Sequence, residues 1–312
     1  MALKVGIMGK PNSGKSYSKM FTNGKEGFVL MPCESDCNLL EDNETLNLPA
    51  NKQKRVSRFR FIGKDKDSGK TIDTTLQLAK MLNIQTDNPV DRLNEIIKLL
   101  IENNSSDKAT KERIEKFTQN LKHDVNYKGH FAICPKIDYI PYWCKFIDKF
   151  MPHIKNIFLP DFSQYITNVI TTKEFADKGK TSSGAYGRYT DLATSTVKAF
   201  FTDNINALRD DIIVVTEFHT EKSEKDEVYS IFVPTGNMIK TTFIPESYFE
   251  VLVFAKQDFN NPNKNTRYTF QTIATQENPY IRCSVIDKEE IPNNLSIILD
   301  AIRENIIGRD EE

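Results

Sequence analysis

Lys4-Val5-Gly6-Ile7-Met8 runs directly into Gly9-Lys10-Pro11-Asn12-Ser13-Gly14-Lys15-Ser16, and these thirteen residues decide the fold class. The first five read as a short buried strand. The next eight match G-x-x-x-x-G-K-S without departure, the spacing of a loop that wraps a phosphate group. Backbone N–H groups must approach the anion closely, so Gly9 and Gly14 carry no side chains. Lys15 supplies positive charge for the β- and γ-phosphates, and the Ser16 hydroxyl is a ligand for Mg²⁺. The pattern predicts a helix from Lys15 to about Phe21, its N-terminus turned toward the anion.

Working outward, a bound Mg²⁺ calls for a carboxylate at the end of another core strand. Ile157-Phe158-Leu159-Pro160-Asp161 is an apolar run ending in an acid, and Pro160 places the strand's end there. Asp161 is therefore the expected metal-side carboxylate. Glu34 follows a second apolar strand, Phe28-Val29-Leu30-Met31-Pro32-Cys33, where a carboxylate could orient the attacking water. An ordinary solvent-facing acid in Glu34-Ser35-Asp36 is the competing reading. A third strand, Ile212-Ile213-Val214-Val215-Thr216, leads to Glu217-Phe218-His219, and His219 is the candidate sensor of the γ-phosphate. A GTP-specific enzyme would need Asn-Lys-x-Asp, which neither Asn-Lys pair supplies. A small-molecule kinase would want an arginine-rich lid, and residues 64–130 contain only Arg92 and Arg113.

In this order, the phosphate loop, Glu34, the strand ending at Asp161, Leu208-Arg209-Asp210-Asp211 and the strand leading to His219 resemble the phage-encoded RecA-like ATP-binding proteins. That group includes single-strand annealing and recombination ATPases. Tyr268-Thr269-Phe270-Gln271-Thr272 and Ile291-Pro292-Asn293-Asn294-Leu295-Ser296 extend the resemblance to the tail. It covers roughly residues 1–62 and 135–307 and implies an α/β domain with a mostly parallel central sheet. It implies ATP and Mg²⁺ as ligands, with Lys15 and Ser16 on the phosphates and the metal, and Asp161 holding the metal through water. It places Glu34 at the catalytic glutamate, although many relatives keep no acid there. It also implies a homo-oligomer in which a basic finger, here Arg282 in an expected strand from Tyr280 to Val285, reaches a neighbour's nucleotide.

The remaining residues organise around this core. Residues 64–130 read as an insertion. Leu93, Ile96, Ile97, Leu100 and Ile101 fall on one face of a helix from Asp91 to Glu102, and a second helix is expected from Asp107 to Leu121. Residues 243–307 read as a C-terminal extension of the sheet and a last helix capped by Asn294. Lys173, Lys178, Lys180, Tyr186 and Arg188 lie in a glycine-containing stretch that reads as a mobile loop with basic and stacking residues, suited to single-stranded DNA.

Over 312 residues, 42 Lys and Arg stand against 43 Asp and Glu, a net charge of −1, which excludes a protein that coats nucleic acid by bulk charge. Five irregularly spaced cysteines fit reduced thiols better than disulfides or zinc. No apolar run reaches the ~18 residues of a membrane span, and with a strand pattern from the first residues no signal peptide is expected. The expectation is a cytoplasmic ATPase acting on single-stranded DNA in recombination or replication. The alternative is a nucleotide-gated protein-interaction module with little turnover.

Overall fold

The computed structural model describes residues 1–35, 37–65, 67–103, 108–123, 127–179, 184–234, 239, 243–263 and 266–305. Six parallel strands form the centre: β1 (Leu3–Gly9), β2 (Gly27–Met31), β6 (Phe131–Ile133), β7 (Asn156–Leu159), β8 (Ile213–Lys222) and β10 (Val251–Gln257). Antiparallel β11 (Tyr268–Gln271) and β12 (Glu290–Pro292) complete the order β12-β11-β10-β1-β8-β7-β2-β6, with β9 (Tyr229–Ile231) hairpinned onto β8. The domain is thus α/β with a mixed, mostly parallel sheet.

The strands are buried on both faces, which is why they read as unbroken apolar runs. Alternate residues serve opposite faces. Phe28 and Leu30, Ile212 and Val214, and Leu252 and Phe254 join one core, while Val29 and Met31, Ile213 and Val215, and Val251 and Val253 join the other. The first core is filled by α3 (Pro89–Glu102), α5 (Ile140–Phe150), α6 (Phe162–Ile170) and a π-helical stretch, Leu192–Lys198 and Phe200–Asn204. Trp143, at its centre, donates its indole N–H to Asn94 Oδ1 at 2.7 Å, so the buried ring leaves no orphan donor. The second core is closed by α9 (Leu295–Asn305) through Leu295, Ile298, Leu299 and Ile302. Asn294 Oδ1 accepts from the Ser296 amide at 3.0 Å, the cap expected of it.

Between β2 and β6 lie the helices of the 64–130 region: α2 (Thr75–Met81), α3, and α4 (Lys108–His123). Asn88 starts α3, its Oδ1 accepting from Val90 N at 2.8 Å. A small sheet, β4 (Thr71–Asp73), β3 (Arg60–Lys64) and β5 (Tyr127–Lys128), accompanies them.

Three expectations change. The helix expected from Lys15 to about Phe21 is one short α turn, α1 (Lys15–Ser18), continued by a 3₁₀ turn, Lys19–Phe21. The stretch expected as a mobile basic loop contains two helices, α7 (Lys173–Lys178) and α8 (Gly184–Asp191). Thr172 caps the first by accepting from Phe175 N at 3.2 Å, and the burial of Phe175 anchors it despite the nearby glycines. The strand expected from Tyr280 to Val285 is a single antiparallel bridge between Arg282 and Leu252, and the outer strand of the extension is β12 instead.

Candidate functional site

The chain leaves β1 for β2, three positions away, and later crosses back over β1 to place β10 on its other side. The carboxyl ends of β1 and β8 therefore open onto a topological switch point, where α/β sheets place their ligands. Register sets the depth: Gly9 is level with His219, and Ile7 with Glu217. A cleft of about 420 Å³ lies there, lined by the loop from Pro11 to Tyr17 together with Asp161, Glu217, His219 and Tyr268.

The loop is shaped by its two glycines. A Cβ on Gly9 would stand 2.5 Å from Ser13 Oγ and 2.8 Å from the Ala255 carbonyl. Gly14 takes φ +89°, and a Cβ there would meet Asn293 Nδ2 at 2.4 Å. Asn12 also adopts a left-handed conformation, with φ 63°. Ser13 Oγ is buried at the loop's centre with no hydrogen-bond partner. A cradle that any side chain would fill, with an orphaned hydroxyl inside it, fits a bound oxyanion.

Lys15 is 7% exposed, and its ammonium donates to the carbonyls of Gly9 and Lys10, each at 2.8 Å. Burial pushes its pKa down to about 8, against the opposing pull of the Glu217 and Asp161 carboxylates. Ser16 Oγ donates to Glu217 Oε2 at 2.8 Å, and the other carboxylate oxygen of Glu217 receives the Lys19 ammonium. The Lys19 and Glu217 side chains are each 3% exposed, so this ion pair sits in the interior. Beside it, His219 Nδ1 lies 3.5 Å from the Lys15 ammonium and Nε2 lies 3.5 Å from Asp161 Oδ2. The imidazole thus stands between the Lys15 ammonium and the Asp161 carboxylate, one ring nitrogen toward each. Asp161 has φ 47°, directly before α6, and its Oδ1 is buried without a partner.

Of the predicted residues, Gly9 to Ser16, Asp161 and His219 come together. The Lys10 side chain turns away, its ammonium 5.0 Å over the Tyr229 ring. The acid that contacts Ser16 is Glu217 and not Asp161. Its sequence signal is that it is the first carboxylate after the buried run from Ile213 to Thr216, opposite a lysine three residues past Ser16. His219 lies within β8, because pairing with β9 carries that strand on to Lys222.

Glu34 stays outside the cleft. It is exposed and pairs with Arg58 at 3.1 Å, at the end of a strand separated from β1 by β7 and β8. Arg282 is likewise exposed and does not line the cleft. Among the candidate nucleic-acid residues, Lys173 and Lys178 are exposed, and Lys178 pairs with Glu174. Tyr186 is 70% exposed. Arg188 is committed internally: it donates to the Phe175 carbonyl at 2.8 Å and stacks on the rings of Phe175 and Tyr189. Lys180 lies outside the described residues.

Among the described residues, no group of three or more His, Cys, Asp or Glu side chains forms a metal site of its own. Mg²⁺ does not require one, since it is held by one or two protein oxygens, water and the phosphates of a substrate. Ser16 and Glu217 are the oxygens already in contact beside the loop. Also among the described residues, no helix is long and apolar enough to cross a membrane. No protein-family model and no curated protein sequence matches the chain.

Proposed function

We propose that the cleft binds Mg·ATP and that the chain is a phosphate-loop ATPase. The observation that carries this reading is the convergence of three separated pieces of sequence on one loop. Lys15 lies on it, Ser16 is hydrogen-bonded to the buried Glu217, and Asp161 faces His219 across the same cleft.

The roles follow from the surroundings of each group. Lys15 exchanges its loop carbonyls for phosphate oxygens, an exchange that favours its charged form. Ser16 and Glu217 would hold Mg²⁺, which when bound neutralises charge on the phosphate oxygens. Lys19 occupies one Glu217 oxygen and fixes the carboxylate's position, leaving the oxygen that meets Ser16 turned to the cleft. Asp161 is the remaining carboxylate in the cleft and has an unsatisfied oxygen, which suits it to orient a water molecule. His219 positions Asp161 and reports on Lys15.

Equilibrium binding of ATP with Mg²⁺ and with EDTA, for the wild type and Glu217→Gln, tests the assignment. Metal-dependent binding that weakens at least tenfold in the variant is expected. Equal binding with and without Mg²⁺ would remove the metal role of Ser16 and Glu217. Tight binding without phosphate release would favour the nucleotide-gated interaction module.

Single-stranded DNA as the partner is a second reading, favoured by the solvent-facing Tyr186 ring on α8, which packs against α7, the helix that carries Lys173 and Lys178. Binding across a salt series, with and without ATP, tests it. Weakening on Tyr186→Ala is expected, and no binding at low salt would end the reading.

A further inference from the structure

A second cleft, of about 430 Å³, adjoins the phosphate loop on the side of α1. Tyr17 lines both clefts. The second is otherwise walled by Phe21, by Leu46 and Asn47, and by Pro292, Asn293 and Asn294, so that three distant parts of the chain meet in it. Its aromatic part is ordered: Tyr17 meets Phe21 edge-on at 5.4 Å and stands 6.3 Å from the Tyr268 ring. Its polar part is amide. Asn293 is 4% exposed, and its Oδ1 is buried with no hydrogen-bond partner. Asn294 uses its Oδ1 to cap α9, so what it can offer a ligand is its NH₂ group. No carboxylate lines this cleft among the described residues.

We infer that this second cleft is a nucleobase subsite, selective for adenine. The inference rests on the phosphate-loop reading above, because Asn293 and Tyr268 are the two side chains that close over Gly14. A nucleotide held by its phosphates at the loop reaches this cleft next. The Tyr17 ring supplies a face for stacking, which any base would use. The amides supply selectivity. An acceptor on Asn293 beside a donor on Asn294 matches the exocyclic N–H and neighbouring ring nitrogen of adenine. Guanine could set its N1–H and O6 against the same two amides, but its 2-amine would then be a further donor that no carboxylate here receives, and leaving it unpaired carries a penalty. The orphaned Asn293 oxygen is thus explained as the group that the base satisfies.

Direct binding separates this inference from the reading it rests on. Dissociation constants would be measured by calorimetry, with Mg²⁺, for ATP, GTP and inorganic tripolyphosphate. The wild type should bind ATP at least tenfold more tightly than either of the others. Tyr17→Ala should weaken ATP about 5- to 100-fold, and by clearly more than it weakens tripolyphosphate, which meets only the phosphate-side cleft. Tyr17→Phe, which keeps the ring, should restore ATP binding. Asn293→Ala should bring ATP and GTP to within about threefold of each other. Equal affinity for ATP and tripolyphosphate, or preference for GTP, would overturn the subsite while leaving the phosphate loop intact. Failure to bind tripolyphosphate as well would overturn both.

Discussion

Removing Lys19 isolates the interaction that holds the candidate metal-side acid in place. Lys19 and Glu217 are each 3% exposed, and besides Lys19 the Glu217 carboxylate has the Ser16 hydroxyl as a partner. Lys19→Met keeps the volume of the side chain and leaves a buried carboxylate without its counter-charge, which costs about 3–5 kcal/mol. At ~2.1 cal/mol/K per residue, the unfolding entropy of a chain this long is roughly 0.65 kcal/mol/K, so the melting temperature should fall by about 5–8 °C if unfolding is cooperative. Glu217→Gln retains the Ser16 bond but strands the lysine, and should destabilise by a similar amount. The double variant removes both charges and should return to within about 1 kcal/mol of the wild type, because swapping a buried pair for neutral residues is often neutral. Urea unfolding of the four proteins gives the coupling energy directly, expected to be at least about 2 kcal/mol. Single variants that cost less than ~1 kcal/mol, or effects that simply add in the double, would refute the claim that this pair is buried and mutually dependent. Such pairs seldom raise net stability, so a restored double variant that no longer needs Mg²⁺ for ATP binding would show that the pair serves position rather than folding.

Lys15 titrates near pH 8 because burial opposes its charge, so phosphate affinity should fall as pH rises, to half at pH 8 and roughly a tenth at pH 9. Lys15→Arg should flatten that profile in binding titrations. Its contribution to the stability of the ligand-free chain runs the other way. With the folded pKa below the unfolded one, the folded state binds fewer protons between about pH 8 and 10.5, so this term rises with pH across that window. Gly14→Ala forces a side chain onto φ +89° and against Asn293 Nδ2 at 2.4 Å, and should destabilise by about 1–3 kcal/mol in thermal melts while weakening ATP binding at least tenfold. An alanine variant that binds normally would remove the tight-loop argument.

The tight loop from Gly9 to Ser16 was legible because its pattern is local: two glycines, a lysine and a serine fall within eight consecutive positions. Asp161 and His219 were legible because apolar runs end beside them and parallel strands end on one side of a sheet. Glu217 was not, although it stands two residues before His219. Its significance depends on β8 pairing directly with β1 and on a buried Lys19, and both are products of tertiary order rather than of local pattern. Glu34 satisfied the same local rule as Asp161 but lies at the end of the more distant β2, so strand order, not strand character, separates them. Arg188 looked available because glycines and lysines surround it, yet two aromatic rings and a carbonyl engage its guanidinium. Tyr17 and Asn293 carried no signal of their own, since the second cleft forms only when the tail folds back over the loop.

Calorimetric titration of Mg·ATP into the wild type and Lys15→Ala tests the central claim most directly. Saturable one-to-one binding by the wild type and a loss of at least a hundredfold in the variant is the predicted result. No binding by the wild type, or equal binding by both proteins, would contradict it.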